Sequence, residues 1–361
     1  MMPERTIGGE MEIFPADLLA IPAESAWPTW GGYNELRCDT GRGALFLAVS
    51  HWQEHVGRKF DVWIPDYACQ SLVGILKYHR ISSKFYGDAP GRTTVFSPPQ
   101  PKPGDMVVLI HYFGHINHRV LHWLAEQRKQ DWAIVEDAVQ SSYSQGIGKC
   151  GDYIITSLRK WWPAPDGAGL YYRGKIYSPA LAQPDEQFIS RRLTAKMIRP
   201  FGSPAETRHL ELIQQSEAYL NKVFTPRHPS WISQTILDGT DKAAMISLRK
   251  RNWHHLQQML CRSKAWGKAI KPLYATLGEG EVPLVFPICV ASKIRPKLRA
   301  WLAEKKIFCP VHWSLQKSAR AEAAVLSQSI LSLLVDQRYD YDDMERQAFQ
   351  ILKFFEEYPD E

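Results

Sequence analysis

Residues 105–140 read DMVVLIHYFGHINHRVLHWLAEQRKQDWAIVEDAVQ, and this stretch decides the fold. DMVVLIHYF is a nearly unbroken apolar run between Asp105 and Gly114, which reads as a strand buried on both faces. VLHWLAEQRKQ spaces its apolar residues at helical intervals, and DWAIVEDAV is a second buried strand with an acidic end. The same alternation extends in both directions. Upstream, GRGALFLAVSHWQEHV reads as a helix behind a Gly-rich turn, VWIPDYACQ as a strand ending at Pro65, SLVGILKYH as a helix and SKFYGD as a strand. Downstream, DYIITSL is one more strand. Strand and helix in turn predict an α/β layered domain with a largely parallel sheet. Residues 1 to about 38 read as an irregular lead-in.

After about residue 180 the texture changes. Amphipathic helices are expected over 204–224 and 241–262, with the Pro-rich TPRHPS between them. From Gly278 the pattern is strand (VPLVFPICVA), helix (IRPKLRAWLAEKK), strand-like segment (IFCPVHW), apolar run (SILSLLVD) and a final helix (DYDDMERQAFQILKFFEEY). The expected division is a large domain over 1–240 and a smaller α+β domain over 241–361. A chain of 361 residues suits two domains. With 45% hydrophobic and 23% charged residues it is globular rather than disordered. The net charge of +6 comes with no dense basic run, so nucleic acid is not indicated as a partner. No apolar run is long enough to cross a membrane, and the start lacks the pattern of a signal peptide. The six cysteines form no CxxC pair, which argues against zinc and against a disulfide framework. A cytoplasmic protein with reduced thiols is expected.

Three local features carry chemistry. The first is Glu136-Asp137 at a strand end, where parallel sheets present side chains to ligands. A helix cap or a buried ion pair explains such acids as readily. The second is Thr40-Gly41-Arg42-Gly43-Ala44 before a helix, where small residues and free N–H groups suit a phosphate; a plain turn has the same look. The third is Ser157-Leu158-Arg159-Lys160, followed by WWPAPDG. Pro163 and Pro165 stop any helix, so Lys160 sits on irregular backbone between bulky aromatics. A surface lysine with a snorkelling stem is the ordinary alternative. SxxK also opens a penicillin-binding motif, but SDN and KTG partners are missing here. No GxGxxG or GxxxxGK[ST] follows a strand, so a nucleotide-binding α/β protein is disfavoured. A phosphate loop, then an acid, then a lysine is the order of parts that pyridoxal phosphate requires.

On these motifs the chain resembles the DegT/DnrJ/EryC1/StrS aminotransferases, which are fold-type I pyridoxal phosphate enzymes. The resemblance covers about Thr40 to Gly169 and is weaker beyond. It rests on TGRGALFLAV, FDVWIPDYACQS, IHYFG (110–114), EDAVQ (136–140), SQGIGKCGDY and the serine-to-lysine segment 157–169. EDAxQ with the downstream lysine is the specific part. The resemblance implies a three-layer α/β domain with a mostly parallel sheet, a smaller α+β domain and a homodimer. It implies that Lys160 carries the cofactor as a Schiff base and moves the substrate's Cα proton. Asp137 would pair with the ring nitrogen, and Gln140 with the ring's 3-oxygen. Ser157, Arg42 and Gly43 would hold the phosphate. An aromatic residue should cover the ring; the matching position is Cys69, so Tyr67 is the substitute. His312 and Trp313 match a His-aromatic pair on the substrate side.

The departures concern the substrate. Only two residues separate Ser157 from Lys160, and TPRHPSWIS stands where the family has an Asn-containing segment that reaches the partner subunit, with Arg227 as the candidate for a similar task. The implied reaction is transfer of an amino group from an amino-acid donor to a keto or aldehyde acceptor, a sugar or nucleotide sugar among the candidates. Lyase or other chemistry on the same cofactor, or a non-catalytic member that only binds it, are the alternatives. Lysine at position 160 argues against the dehydratase branch, which has histidine there.

Overall fold

The computed structural model describes residues 5–19, 25–91, 96–127, 131–201, 205–315 and 319–358. The chain begins with β1 (Ile7–Gly8), α1 (Pro15–Leu19), β2 (Asn34–Cys38) and α2 (Gly41–Val56). Next come β3 (Asp61–Pro65), α3 (Gln70–Tyr78), β4 (Ser82–Tyr86), β5 (Met106–Ile110), α4 (His118–Glu126), β6 (Ala133–Asp137), β7 (Tyr153–Ile155) and β8 (Ala168–Tyr172). Four helices follow: α5 (Glu186–Ile198), α6 (Ala205–Leu220), α7 (Trp231–Asp238) and α8 (Lys242–Cys261). The last part holds β9 (Lys271–Pro272), β10 (Phe286–Cys289), α9 (Arg295–Glu304), β11 (Ile307–Phe308), α10 (Ala321–Ser329), β12 (Ile330–Leu333) and α11 (Tyr341–Glu357).

The main sheet has seven strands in the order β2-β8-β7-β6-β5-β3-β4. Strands β3 to β7 pair in parallel, and β8 runs antiparallel to both its neighbours. Every residue of β5 and β6 is buried. Their side chains alternate between two cores. Met106, Val108, Ile110, Ala133 and Val135 join the core that holds Ala44, Leu45 and Ala48 of α2. Val107, Leu109 and Ile134 join the core that holds Val120, Leu121 and Leu124 of α4. Helices on both faces of a parallel sheet make the three-layer α/β fold expected from the sequence.

A third core joins α8, α9 and α11 to a small antiparallel sheet ordered β12-β10-β9. Strand β1 pairs in parallel with β11, and Ile7 is fully buried in this C-terminal core. Helix α8 spans two cores: Met245 packs in the main one and Trp253, Leu256 and Leu260 in the C-terminal one.

The sequence reading differs from the structure at several elements, β1, α1, β9 and α10 among them. The lead-in is not irregular throughout: Asn34–Cys38 forms the edge strand β2, whose polar, partly exposed residues hide the apolar pattern. Strand β8 was not anticipated behind the Asp166-Gly167 turn. Helices α5 and α7 also went unread. The buried face of α5 includes Arg192 and Lys196, both with fully buried side chains, so hydrophobic periodicity gives no signal there.

Candidate active site

The loops beyond the C-terminal ends of β5, β6 and β7 border a cleft, open to solvent on one side, with about 550 Å³ of empty space. Lys160 stands on its wall at the end of a single 3-10 turn, Leu158–Lys160. That turn is fixed from several sides. The Leu158 amide donates to the Gly167 carbonyl at 2.9 Å, and the Gly167 amide to the Asp39 carbonyl at 2.7 Å. Gly167 has φ +109°, a conformation that favours glycine. The buried Asp166 carboxylate accepts from the Ser230 amide and hydroxyl at 3.0 and 2.6 Å. Trp161 donates its indole N–H to the Val139 carbonyl at 3.0 Å, and Trp162 donates to the Tyr143 hydroxyl. Both indoles are buried in the main core, so the double tryptophan packs behind the lysine.

Asp137 ends β6 and faces the cleft. Oδ1 accepts the Val139 amide at 2.9 Å, while Oδ2 accepts no hydrogen bond from the described residues. Burial pushes its carboxyl upward, opposed by that amide and by Lys160. The neighbouring Glu136 points elsewhere. It accepts the amides of Gly148, Cys150 and Gly151 at 2.8, 3.0 and 2.6 Å and meets His111 at 3.1 Å. Glu136 therefore clamps the glycine hairpin and takes no part in the cleft. Gln140 accepts the Phe113 amide on Oε1 at 3.0 Å, and its buried Nε2 has no partner. Burial also pushes the Lys160 amine below its ordinary range, and the Arg159 charge adds to that.

The N-terminus of α2 forms another wall. Thr40 caps it by accepting the Gly43 amide at 3.2 Å. A Cβ on Gly41 would lie 3.2 Å from Ser157 Cβ and from Val139 Cγ2, so helix and lysine loop touch there. Ser157 is buried beside it, and its hydroxyl makes no cap bond to the turn it opens and none to another of the described residues. Arg42 lines the cleft, but its guanidinium donates to the Leu220 carbonyl at 2.7 Å and to Asn221 at 3.2 Å. Gly43 does not line the cleft, and its amide is taken by the cap.

The structure rearranges the aromatic residues. Tyr67 is fully buried, donates its hydroxyl to the His312 carbonyl and lies outside the cleft lining. Cys69, Ser71, Leu72 and Trp313 line the cleft at this side. Trp313 rests against Tyr67 with ring centroids 5.5 Å apart. His312 lines a second cavity instead, with Nδ1 2.8 Å from the Ser332 hydroxyl; burial pushes its imidazole down to about 3. Arg227 lies outside both cavities, held by the Gln183 carbonyl at 2.9 Å and by Asp185 at 3.4 Å.

Two arginines escaped the sequence reading. Arg159 lines both cavities and pairs with Glu217 at 3.1 Å, leaving Nε buried and unpartnered. Its place between Ser157 and Lys160 was the available signal. Arg249, on α8, reaches the second cavity from a segment with no motif.

No family model and no curated protein matches the chain. Solved structures do. An aminotransferase, TlmJ from Streptoalloteichus hindustanus, is 16% identical with a TM-score of 0.61, over 88% of this chain and 85% of that one. A DegT DnrJ EryC1 StrS aminotransferase from Brucella abortus is 15% identical with a TM-score of 0.54, over 90% and 86%. The chain has the DegT/DnrJ/EryC1/StrS aminotransferase fold. DesV of S. venezuelae, solved with a ketimine intermediate, shares that fold at 16% identity and a TM-score of 0.58, over 91% and 86%. The DegT-like architecture expected from the motifs is thus present along most of the chain.

Proposed function

We propose that the chain is a pyridoxal phosphate-dependent aminotransferase that moves an amino group from an amino-acid donor to a keto or aldehyde acceptor. One observation carries this reading. A carboxylate with a free oxygen (Asp137), an orphaned amide donor (Gln140 Nε2), an unbonded hydroxyl (Ser157) and an amine (Lys160) converge on one cleft. This donor set fits the cofactor: a carboxylate for the ring nitrogen, an amide N–H for the ring oxygen, a hydroxyl at a helix N-terminus for the phosphate, and an amine for the aldehyde carbon. Cys69 and Trp313 stand where the ring would be covered. Arg42 lines the cleft with its guanidinium engaged by Leu220 and Asn221, and Gly43 and Tyr67 lie outside the lining.

When bound, pyridoxal phosphate supplies an aldehyde carbon and a conjugated ring that withdraws electrons from the substrate. The chain supplies the rest. Lys160, kept toward its neutral form by desolvation, takes and returns the proton at the substrate's Cα. Asp137, whose carboxyl burial pushes up, gains most by accepting a cationic N–H partner. Trp161 and Trp162 hold the lysine loop rigid. Donor and acceptor use the same site in turn, so ping-pong kinetics should follow. Sugar carbonyls are the acceptor class favoured by the neighbours, one of which, DesI, was solved with its TDP-sugar product.

We infer a domain boundary between residues 240 and 241, supported by α8, which starts at Lys242 and runs into the C-terminal core. A homodimer is inferred as well, supported by Trp231, which is 74% exposed at the start of α7 near Arg227. The cysteines are unpaired, which suits a cytoplasmic protein.

The test is spectroscopic. Protein mixed with pyridoxal phosphate should gain a visible band that an amino donor shifts, and Lys160→Ala should abolish that band. Protein that takes up no pyridoxal phosphate would overturn the proposal. A band that ignores every donor would favour a cofactor-binding protein without transaminase activity.

A further inference from the structure

The structure assigns Glu217, on α6, the role of a positioning residue: it fixes the Arg159 guanidinium beside Lys160 and so tunes the amine without touching it or the cofactor. This rests on the reading of Lys160 as the cofactor-bearing amine. Glu217 lines neither the cleft nor the second cavity, whereas Arg159 and Lys160 line both.

Arg159 precedes Lys160 on the 3-10 turn. Its side chain is 16% exposed, and Nη1 donates to Glu217 Oε1 at 3.1 Å. Among the described residues, Glu217 is the one carboxylate paired with it. The same Glu217 oxygen accepts Arg192 Nη1 at 2.8 Å. Arg192 is fully buried on α5 and donates Nη2 to Glu10 Oε1 at 2.8 Å. Glu10 Oε2 accepts from the buried Lys196 at 3.0 Å. Charges of opposite sign thus alternate from the lysine loop through α6 and α5 to the N-terminal segment. Arg159 is the end of this series that meets Lys160.

Stability does not account for the arrangement. Apolar side chains of similar volume commonly hold a fold as well as buried ion pairs do. What the pair adds is charge beside the amine. Burial pushes the Lys160 amine down; Cys69 opposes this, Arg159 adds to it, and Asp137 and Glu217 oppose it. Arg159 and Glu217 therefore act on Lys160 in opposite senses while bonded to each other. Arg159 in turn holds the Glu217 carboxyl below its ordinary range against burial, with help from Arg192, so the counter-charge persists. The other charged or titratable groups on the two cavities are accounted for. Arg338 pairs with Asp336 at 2.8 Å, and burial holds the His312 imidazole down at about 3. Arg42, on α2, and Arg249, on α8, are anchored on backbone carbonyls. Arg159 is set apart by adjoining Lys160 on the same turn and depending on a distant helix for its counter-charge.

The probe is trace acetic anhydride on cofactor-free, full-length protein, with acetylation of Lys160 read by mass spectrometry across pH. Only the neutral amine reacts, so the profile follows its charge. Glu217→Gln keeps the shape and loses the charge, and its midpoint should move down; that of Arg159→Gln should move up. At pH values below the midpoint, acetylation should be about 3-fold or more faster in the first and about 3-fold or more slower in the second. The double variant should fall between them, and Glu217→Asp, which keeps a carboxylate, should stay closer to wild type than Glu217→Gln does. A pair that only ties α6 to the lysine loop would move both midpoints the same way or not at all, and either result overturns the assignment. If Glu217→Gln does not fold, an unmoved Arg159→Gln midpoint overturns it equally. The pyridoxal phosphate band, recorded on the same variants, separates the two proposals. Opposite shifts without a band leave Glu217 its role and refute the cofactor; a band without opposite shifts refutes Glu217 alone.

Discussion

Replacing Gln140 with leucine separates two tasks of one side chain. Oε1 accepts the Phe113 amide at 3.0 Å, while Nε2 is buried without a partner. In cofactor-free protein, leucine strands the Phe113 N–H, at a cost of about 1–3 kcal/mol. It also removes the stranded Nε2, a gain of about the same size. The two effects nearly cancel. The cofactor-free variant should therefore melt within about 2 °C of wild type. With the cofactor present the balance changes, because wild type gains a hydrogen bond from Nε2 to an anionic ring oxygen. Such a bond contributes about 1.5–3 kcal/mol, so pyridoxal phosphate affinity should fall by about 10- to 150-fold. The assay is an equilibrium titration of the visible band, paired with melting curves at zero and saturating cofactor. A variant that melts far below wild type without cofactor, yet binds the cofactor as tightly, would refute the reasoning. Gln140 would then serve only to hold Phe113.

Asp39 makes stability depend on pH. Burial, with the Asp166 carboxylate adding to it, pushes the Asp39 carboxyl up to about 7 in the folded state, against 3.8 for the ordinary group. The folded chain thus binds more protons between those values, and the resulting stability is full below about 4 and lost as pH rises through 7. Urea midpoints should fall between pH 5 and pH 8, and Asp39→Asn should flatten the slope; an unchanged slope would dismiss the assignment. Trp162→Ala should lose about 3–5 kcal/mol in chemical denaturation with the cofactor band unshifted in the folded fraction. Trp313→Ala should do the reverse, shifting the band at little cost in stability. Arg159→Gln removes a charge that lowers the Lys160 amine, so the pH midpoint of pyridoxal phosphate uptake should move upward in stopped-flow measurements. A midpoint that stays put would show that desolvation alone sets it.

What the sequence disclosed follows from where its chemistry lies along the chain. β5 and β6 are legible because both faces are covered, which leaves uninterrupted apolar runs. Asp137, Gln140, Ser157 and Lys160 are legible because each sits on or just after a strand, within a few residues of an element that fixes it. The ring-covering residue was not. The loop after Pro65 carries both Tyr67 and Cys69, and its path decides which faces the cleft. Arg249 was out of reach for a stronger reason. Its burial comes from α8 passing between two cores and from Trp161 meeting its face, contacts between residues far apart in sequence. Arg192 and Lys196 misled the reading of α5 because buried charge looks like a solvated surface until Glu10, from the opposite end of the fold's sequence, is seen to pair with both.

Adjacent residues of one type show how little composition alone can assign. Glu136 and Asp137 are consecutive in β6, and strand alternation sends them to opposite faces. Glu136 meets three amides of the glycine hairpin, and a carboxylate so engaged has nothing left for a ligand. Asp137 meets one amide and keeps an oxygen free. The same division separates the tryptophans. Trp161 and Trp162 spend their N–H groups on Val139 and Tyr143 and fill the core, while Trp313, from the far end of the chain, reaches the cleft. A polar atom's unused bonding capacity thus separates the residues that hold the site from those that meet a ligand. By that measure Gln140 Nε2 and Asp137 Oδ2 belong together, within one motif and on one cleft.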